Sequence, residues 1–285
     1  MIRIPGGVVR IGSSATDLDW LESEGQAFPR EWFSDETPQI DVRIAEFEID
    51  PHPVTNEAFG EFVADTGYRT DAEQQGWGMV YGDRYWVESE GACWRSPGGR
   101  GTHVAERPDH PAVHISWQDA TQYASWAGKR LPTEFEWEYA ARGPLPRRWP
   151  WGDSWDRNRC NAADWHLGED LLHLDVWRAW WDRQRERHGG LPMTTPVGSF
   201  LESPPAAFNL ADASGNVYEW TESLCKPYRE GAKHPVYGRL EGLFRVLRGG
   251  SWMNFRYQCR PADRMYGDPF GWSNFATGFR CARDV

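Results

Sequence analysis

Gly128-Lys129-Arg130-Leu131-Pro132-Thr133-Glu134 ends one helix and starts another. Upstream, Ala120, Tyr123, Ala124 and Ala127 recur at helical spacing behind Ser116. That serine can accept from the free N–H groups of a first turn, and Gly128 supplies the stop. Downstream, Thr133 and Glu136 make a capping box for a helix that runs to Gly143. Toward the N-terminus, Thr55 caps a helix that buries Phe59, Phe62 and Val63 and ends at Gly67. Residues 169–188 form a further helical stretch. Leu171, Leu174, Trp177 and Trp181 lie on one face, and Arg178, Arg185 and Glu186 face water.

Strand signals flank these helices. Residues 2–11 and 40–50 alternate loosely with period two, while residues 13–38 are polar and read as a long loop. After Gly190 the chain is rich in Pro, Gly, Asn and aromatics, with short strands. Helices early and irregular strands late predict an α+β domain rather than alternating β/α units.

The 285 residues are 40% apolar, enough for a large core, and include 18 Trp. Thirty-one basic against 42 acidic residues, with no basic run, argue against nucleic acid as a partner. The first residues, Met1-Ile2-Arg3-Ile4-Pro5-Gly6-Gly7, do not read as a signal peptide, and no apolar run reaches membrane-spanning length. The expected location is cytoplasmic, or display on a phage or cell surface. Cys93, Cys160, Cys225, Cys259 and Cys281 are odd in number and lack a C-x-x-C, so free thiols are expected rather than a disulfide framework or structural zinc. His110 and His114 read as turn and strand histidines. His166 and His173 form only a two-histidine signal for a metal.

Several segments, in order, resemble the sulfatase-modifying-factor family of formylglycine-generating enzymes. They include Ile4-Pro5-Gly6-Gly7, Pro53-Val54-Thr55-Asn56, Gly128 to Glu134, Trp149-Pro150-Trp151-Gly152, Gly215 to Trp220, Arg248-Gly249-Gly250-Ser251-Trp252 and Gly278-Phe279-Arg280-Cys281. The resemblance implies one C-type-lectin-like α+β domain over residues 1–285, with little regular structure and an insertion at about 165–190. It also implies calcium held by side-chain oxygens of Asp212 and Glu219 and backbone carbonyls of Gly215 and Val217, hard oxygen donors of the kind calcium takes. A second calcium site of the family would involve Asn161.

The oxidases of the family use two cysteines to bind copper, as soft thiolates suit Cu(I). Here Asn254 stands at the first cysteine's place and only Cys259 matches, so Cys259 would be catalytic only in an enzyme. A second sulfur would have to come from Cys225 or Cys281, and copper-dependent oxidation of a peptide cysteine or small molecule is the alternative function rather than the leading one. The leading expectation is ligand binding. Between Met253 and Thr277, the scaffold residues Cys259, Arg260, Arg264 and Pro269 alternate with a paratope-like mixture: Asn254, Phe255, Arg256, Tyr257, Tyr266, Asp268, Phe270, Trp272, Asn274 and Phe275. This layout resembles the variable proteins of diversity-generating retroelements, and predicts a displayed face for a protein or peptide ligand.

Overall fold

A computed structural model describes residues 1–200, 208–229 and 238–285. Its first strand pattern is two strands, β1 (Ile2–Ile4) and β2 (Gly7–Ile11), divided at Pro5-Gly6. The expected loop at 13–38 instead contains helix α1 (Ala15–Ser23) and a short 3-10 helix, Arg30–Glu36. Ser14 and Asp17 form a full capping box for α1. With mostly polar residues and only Leu18 and Leu21 buried, this helix leaves a weak apolar stripe in the sequence. Residues 40–50 divide into β3 (Ile40–Ile44) and β4 (Phe47–Ile49).

The well-signalled helices follow. They are α2 (Asn56–Thr66), α4 (Trp117–Trp126) and α5 (Glu134–Arg142); between α2 and α4 lie a short helix that the sequence did not announce, α3 (Asp71–Gln75), and the hairpin β5 (Trp77–Tyr81) and β6 (Trp86–Glu90). Thr55, Ser116 and Thr133 cap them as the sequence predicts, each accepting from an N–H of the first turn, and Gly67 adopts φ +68° to stop α2. The 165–190 stretch carries α6 (Ala163–Leu167) and α7 (Leu174–His188). Short strands complete the chain: β7 (Tyr218–Leu224), β8 (Arg245–Arg248), β9 (Met265–Gly267), β10 (Thr277–Gly278) and β11 (Ala282–Asp284).

One sheet has the order β1-β4-β11, so that β4 takes a partner on each edge: Ile2 to Ile4 on one side and Ala282 to Asp284 on the other. The larger sheet has the order β10-β7-β8-β9 and brings the segment after Gly250 back against Trp220. The core has three main parts. Phe59, Phe62 and Tyr123 of α2 and α4 pack with Trp220 and Phe279. Ile4, Phe47 and Ile49 pack on Trp137 and Ala140 of α5. Trp177, Trp180 and Trp181 of α7 pack on Trp252, Phe255, Tyr257 and Phe275.

A buried chain of charges fixes the C-terminal segment. Arg260 grips Glu36 at 2.6 and 2.8 Å, Arg264 forks onto Glu134 at 3.0 Å, and Arg248 reaches both Glu134 and Glu138. Each guanidinium is desolvated, and its position is sustained by these paired carboxylates. No helix among the described residues is long and apolar enough to cross a membrane.

Candidate functional site

The site is built on the turn after Gly249-Gly250. Ser251 donates through its backbone N–H and its hydroxyl to Asn254 Oδ1, Asn254 Nδ2 donates to Gln258 Oε1, and Phe255 N–H donates to the same oxygen at 3.3 Å. Gly250 sits at φ +71°, and a Cβ there would lie 2.8 Å from Cys259 Sγ, so a side chain at this position is excluded twice over. The result is a rigid segment with Asn254 and Gln258 half-buried on one side and Cys259 beneath.

The displayed aromatic face expected from the sequence is not what forms. Phe255, Tyr257, Tyr266 and Phe275 are buried, as are Arg256 and Asn274. Tyr257 and Phe275 have no exposed surface at all. Trp272 is half-buried, edge-on to Trp220 at 5.7 Å between ring centroids, and Asp268 is half-buried. Phe270, at 77%, is the exposed aromatic of the set. Several elements cover the segment: from α7, Trp181 lies 6.1 Å from Phe275 and 5.8 Å from Trp252, and Trp177 N–H donates to the Met253 carbonyl at 2.7 Å, while Phe28 packs on Phe255, Trp20 of α1 on Tyr257, and Cys225 and Val246 on Tyr266. Arg256 is held by Asp170, ahead of α7, at 2.6 Å and by Glu24, at the end of α1, at 2.9 Å. Tyr266 donates its hydroxyl to Asp35.

What remains open is a cavity of about 350 Å³ between the turn, α7 and the β5–β6 hairpin. Four of the expected binding residues line it: Asn254, Phe255, Trp272 and Asn274. The rest of its wall comes from places the sequence reading did not assign to the site. Phe28 and Trp32 belong to the 13–38 region, Tyr81 and Trp86 to the hairpin, and Trp177 and Arg178 to α7. The density of Trp was the available signal. It could not say which rings share a cavity, because that depends on long-range packing.

The cysteines are distributed differently from expectation. Cys225 packs with Val246 and Tyr266, and Cys281 belongs to the α2–α4 core. The thiol that clusters with Cys259 is Cys160, with Ala162, beneath Trp151 and Trp155. Burial pushes both thiols well above their ordinary range; Cys160 adds to the cost of ionising Cys259, and Asp164, Asp212 and Asp156 add to that of Cys160. All five cysteines are free.

The residues named for calcium lie together around Gly215, whose φ of +74° and approach to the Asn161 carbonyl, 2.2 Å from a built Cβ, admit only glycine. Asp212 is buried, and its side-chain donors among the described residues are neutral: Gly198 N–H at 2.7 Å and Asn216 Nδ2 at 3.3 Å. Burial raises its pKa, with Arg280 opposing the shift and Glu219 adding to it. Glu219 takes Arg280 on both oxygens and Trp137 N–H on Oε2, leaving Oε1 with spare acceptor capacity. Asn161 donates to the Met193 carbonyl and to Asn216 Oδ1, and its own Oδ1 contacts His166 Nε2 at 2.7 Å. His173 is at the start of α7 and exposed. Among the described residues no three His, Cys, Asp or Glu side chains gather to hold a metal, so an ion here would need backbone carbonyls as well.

The family model of the sulfatase-modifying factor enzyme 1-like domain matches residues 1–285. The formylglycine-generating enzyme of Thermomonospora curvata is 36% identical, over all of this chain and 93% of its own length. The inactive C-alpha-formylglycine-generating enzyme 2 of Bos taurus is 33% identical, over 99% of this chain and 85% of its own. Among solved structures, PvdO from Pseudomonas aeruginosa superposes with a TM-score of 0.65 at 24% identity, covering 99% of this chain and 93% of that one. Treponema denticola variable protein 1 superposes at 0.61 and 16% identity, covering 100% and 95%. These two likenesses are of fold, and agree with the α+β, C-type-lectin-like architecture.

Proposed function

Since this chain belongs to the sulfatase-modifying factor enzyme 1-like family, we propose that it uses the family's fold for binding rather than for copper-dependent oxidation, and that its site is the aromatic cavity. The observation that carries this reading is the turn at Asn254. By resemblance the oxidases place their first cysteine there. In this chain the position is an amide tied to Ser251 and Gln258, and it opens on Trp86, Trp177, Phe255 and Trp272. Preformed, mostly apolar walls with a few fixed polar groups are what small ligands and inserted side chains require. The occupant is an aromatic side chain of a protein or peptide ligand. A displayed, diversified surface has no support from the buried Tyr257, Tyr266 and Phe275.

The test is a random peptide library panned against the protein. Aromatic-containing binders are expected, with binding lost in Trp86→Ala. Binders without aromatics, or binders indifferent to Trp86→Ala, would overturn the reading.

A second reading rests on the cluster of Cys160 with Cys259, which offers two sulfurs where the sequence showed one. Related formylglycine-generating enzymes make an oxidase the alternative. Oxygen consumption by the Cu(I)-loaded protein in the presence of a cysteine peptide, abolished by both Cys160→Ser and Cys259→Ser, would establish it.

Calcium suits the Asp212 and Glu219 oxygens with the carbonyls of Gly215 and Val217. It would neutralise the buried Asp212 carboxylate, which no cationic side chain among the described residues bonds, and its contribution would be structural.

A further inference from the structure

We infer that the ligand of the aromatic cavity is a peptide chain end, an aromatic C-terminal residue whose free α-carboxylate is received by Arg178; this rests on the cavity being the binding site.

The inference starts from which hydrogen-bonding groups the cavity has left to offer. Its side-chain amide oxygens are spent within the chain. Asn254 Oδ1 accepts from Ser251, Gln258 Oε1 accepts from Asn254 and from Phe255 N–H, and Asn274 Oδ1 accepts from Ala276 N–H and the Thr277 hydroxyl. The Tyr81 hydroxyl is turned to the Arg84 carbonyl at 2.7 Å. Donors are what remain: among the described residues Gln258 Nε2 and Asn274 Nδ2 have no acceptor. A wall that presents N–H groups and few free oxygens favours a ligand rich in acceptors.

Charge points the same way. Arg178 is the one charged side chain among the described residues of the lining. It is exposed on α7 and makes no ion pair with a described residue, although Asp175 and Asp182 stand within a helical turn of it. Asp182 instead faces Arg84 at 3.5 Å. A guanidinium at the edge of an apolar cavity, with its fork unoccupied, matches a carboxylate in shape and charge.

The division of the site then orders the ligand. An aromatic side chain occupies the volume among Trp86, Trp177 and Trp272. The carboxylate stays at the exposed rim, where Arg178 is hydrated and a buried charge is avoided. The open side leaves room for the preceding peptide to leave toward solvent.

Calorimetric titration of the whole protein tests this with four probes: N-acetyl-Gly-Gly-Phe as the free acid, its C-terminal amide, N-acetyl-Gly-Gly-Ala as the free acid, and 2-naphthoate. The phenylalanine acid should bind at least tenfold more tightly than its amide. Arg178→Gln should remove that difference and leave amide binding as it was, while Trp86→Ala should weaken both. Equal binding of acid and amide, or an acid preference that survives Arg178→Gln, would overturn the role of the carboxylate. Equal binding of the alanine and phenylalanine acids would overturn the aromatic requirement. A 2-naphthoate affinity matching that of the peptide would overturn the peptide as source in favour of a small aromatic acid. If an aromatic peptide from the library binds in a Trp86-dependent way but none of the acids does, the chain-end inference fails and the cavity reading stands. If nothing aromatic binds, both fail.

Discussion

Arg280 holds Glu219 by both ends of its fork, Nε to Oε2 and Nη2 to Oε1, each at 2.6 Å, and neither side chain is exposed. Trp137 completes the carboxylate from α5, and the Ala211 carbonyl accepts from Arg280 at 2.9 Å. The pair therefore joins β7, α5 and the segment leading to β11.

Breaking this pair from one side should be costly. Arg280→Met leaves a buried carboxylate with the Trp137 indole N–H as its one side-chain donor among the described residues, and the expected loss is about 3–5 kcal/mol. Urea denaturation measures it. The double variant Arg280→Met with Glu219→Gln should recover part of the loss, since no charge is then stranded. A single-variant loss under about 1 kcal/mol would show that the pair is not the joint described here.

Calcium should raise the melting temperature, and chelator should lower it, if Asp212 and Glu219 hold the ion. Binding to the native state alone contributes about 2.7 kcal/mol at a hundredfold excess over Kd. Asp212→Ala should abolish the response. A melting temperature indifferent to both calcium and chelator would remove calcium from the account.

Core and surface positions within the 253–277 segment should separate cleanly. Tyr257→Ala truncates a ring with no exposure and should cost about 3–5 kcal/mol. Phe270→Ser, at a side chain 77% exposed, should stay within about 0.5 kcal/mol. Similar effects from the two would contradict the burial of Tyr257 against Trp20 and the exposure of Phe270.

Two pairs of buried groups should oppose each other in acid. His114 and His166 have pKa values lowered to about 4 from 6.5 by burial. As pH falls through that window the unfolded chain takes up their protons first, and stability is lost. Burial raises Asp119 and Asp164 to about 6 from 3.8, so as pH falls from 6 to 4 the folded protein takes up their protons first, and stability is gained. The contributions of these four largely cancel. Asp164→Asn removes one gain, so its stability should fall more steeply than the wild type's between pH 6 and 4, by up to ~1.4 kcal/mol per pH unit. Denaturation curves across that range check it, and parallel profiles would refute it.

The local half of this molecule is legible from sequence and the long-range half is not. Thr55, Ser116 and Thr133 announce their helices because a cap acts on its own first turn. Arg260 and Arg264 are recognisable as scaffold, but their carboxylates, Glu36 and Glu134, are remote in the chain. The aromatics of 253–277 mislead for a physical reason. Tyr, Trp and Phe have the same composition in a paratope and in a core, and the difference is made by side chains arriving from remote segments, Trp181 of α7 on Phe275, Phe28 on Phe255 and Trp20 on Tyr257. Cys160 beside Cys259 is likewise a tertiary fact with no spacing to betray it.

Strand β4 is finished at Ile49, yet among the described residues one of its two edges is covered by Ala282–Asp284 alone. During synthesis one edge has β1 from the start, and the other has no partner among the described residues until Ala282–Asp284 emerges from the ribosome. At about 5–20 residues per second that interval is roughly ten to fifty seconds. Throughout it, Phe47 and Ile49 belong to a two-stranded ribbon with an unsatisfied row of backbone groups, the kind of edge to which a neighbouring nascent chain can pair. The yield of the domain in a cell should therefore depend on whatever shields that edge during the wait.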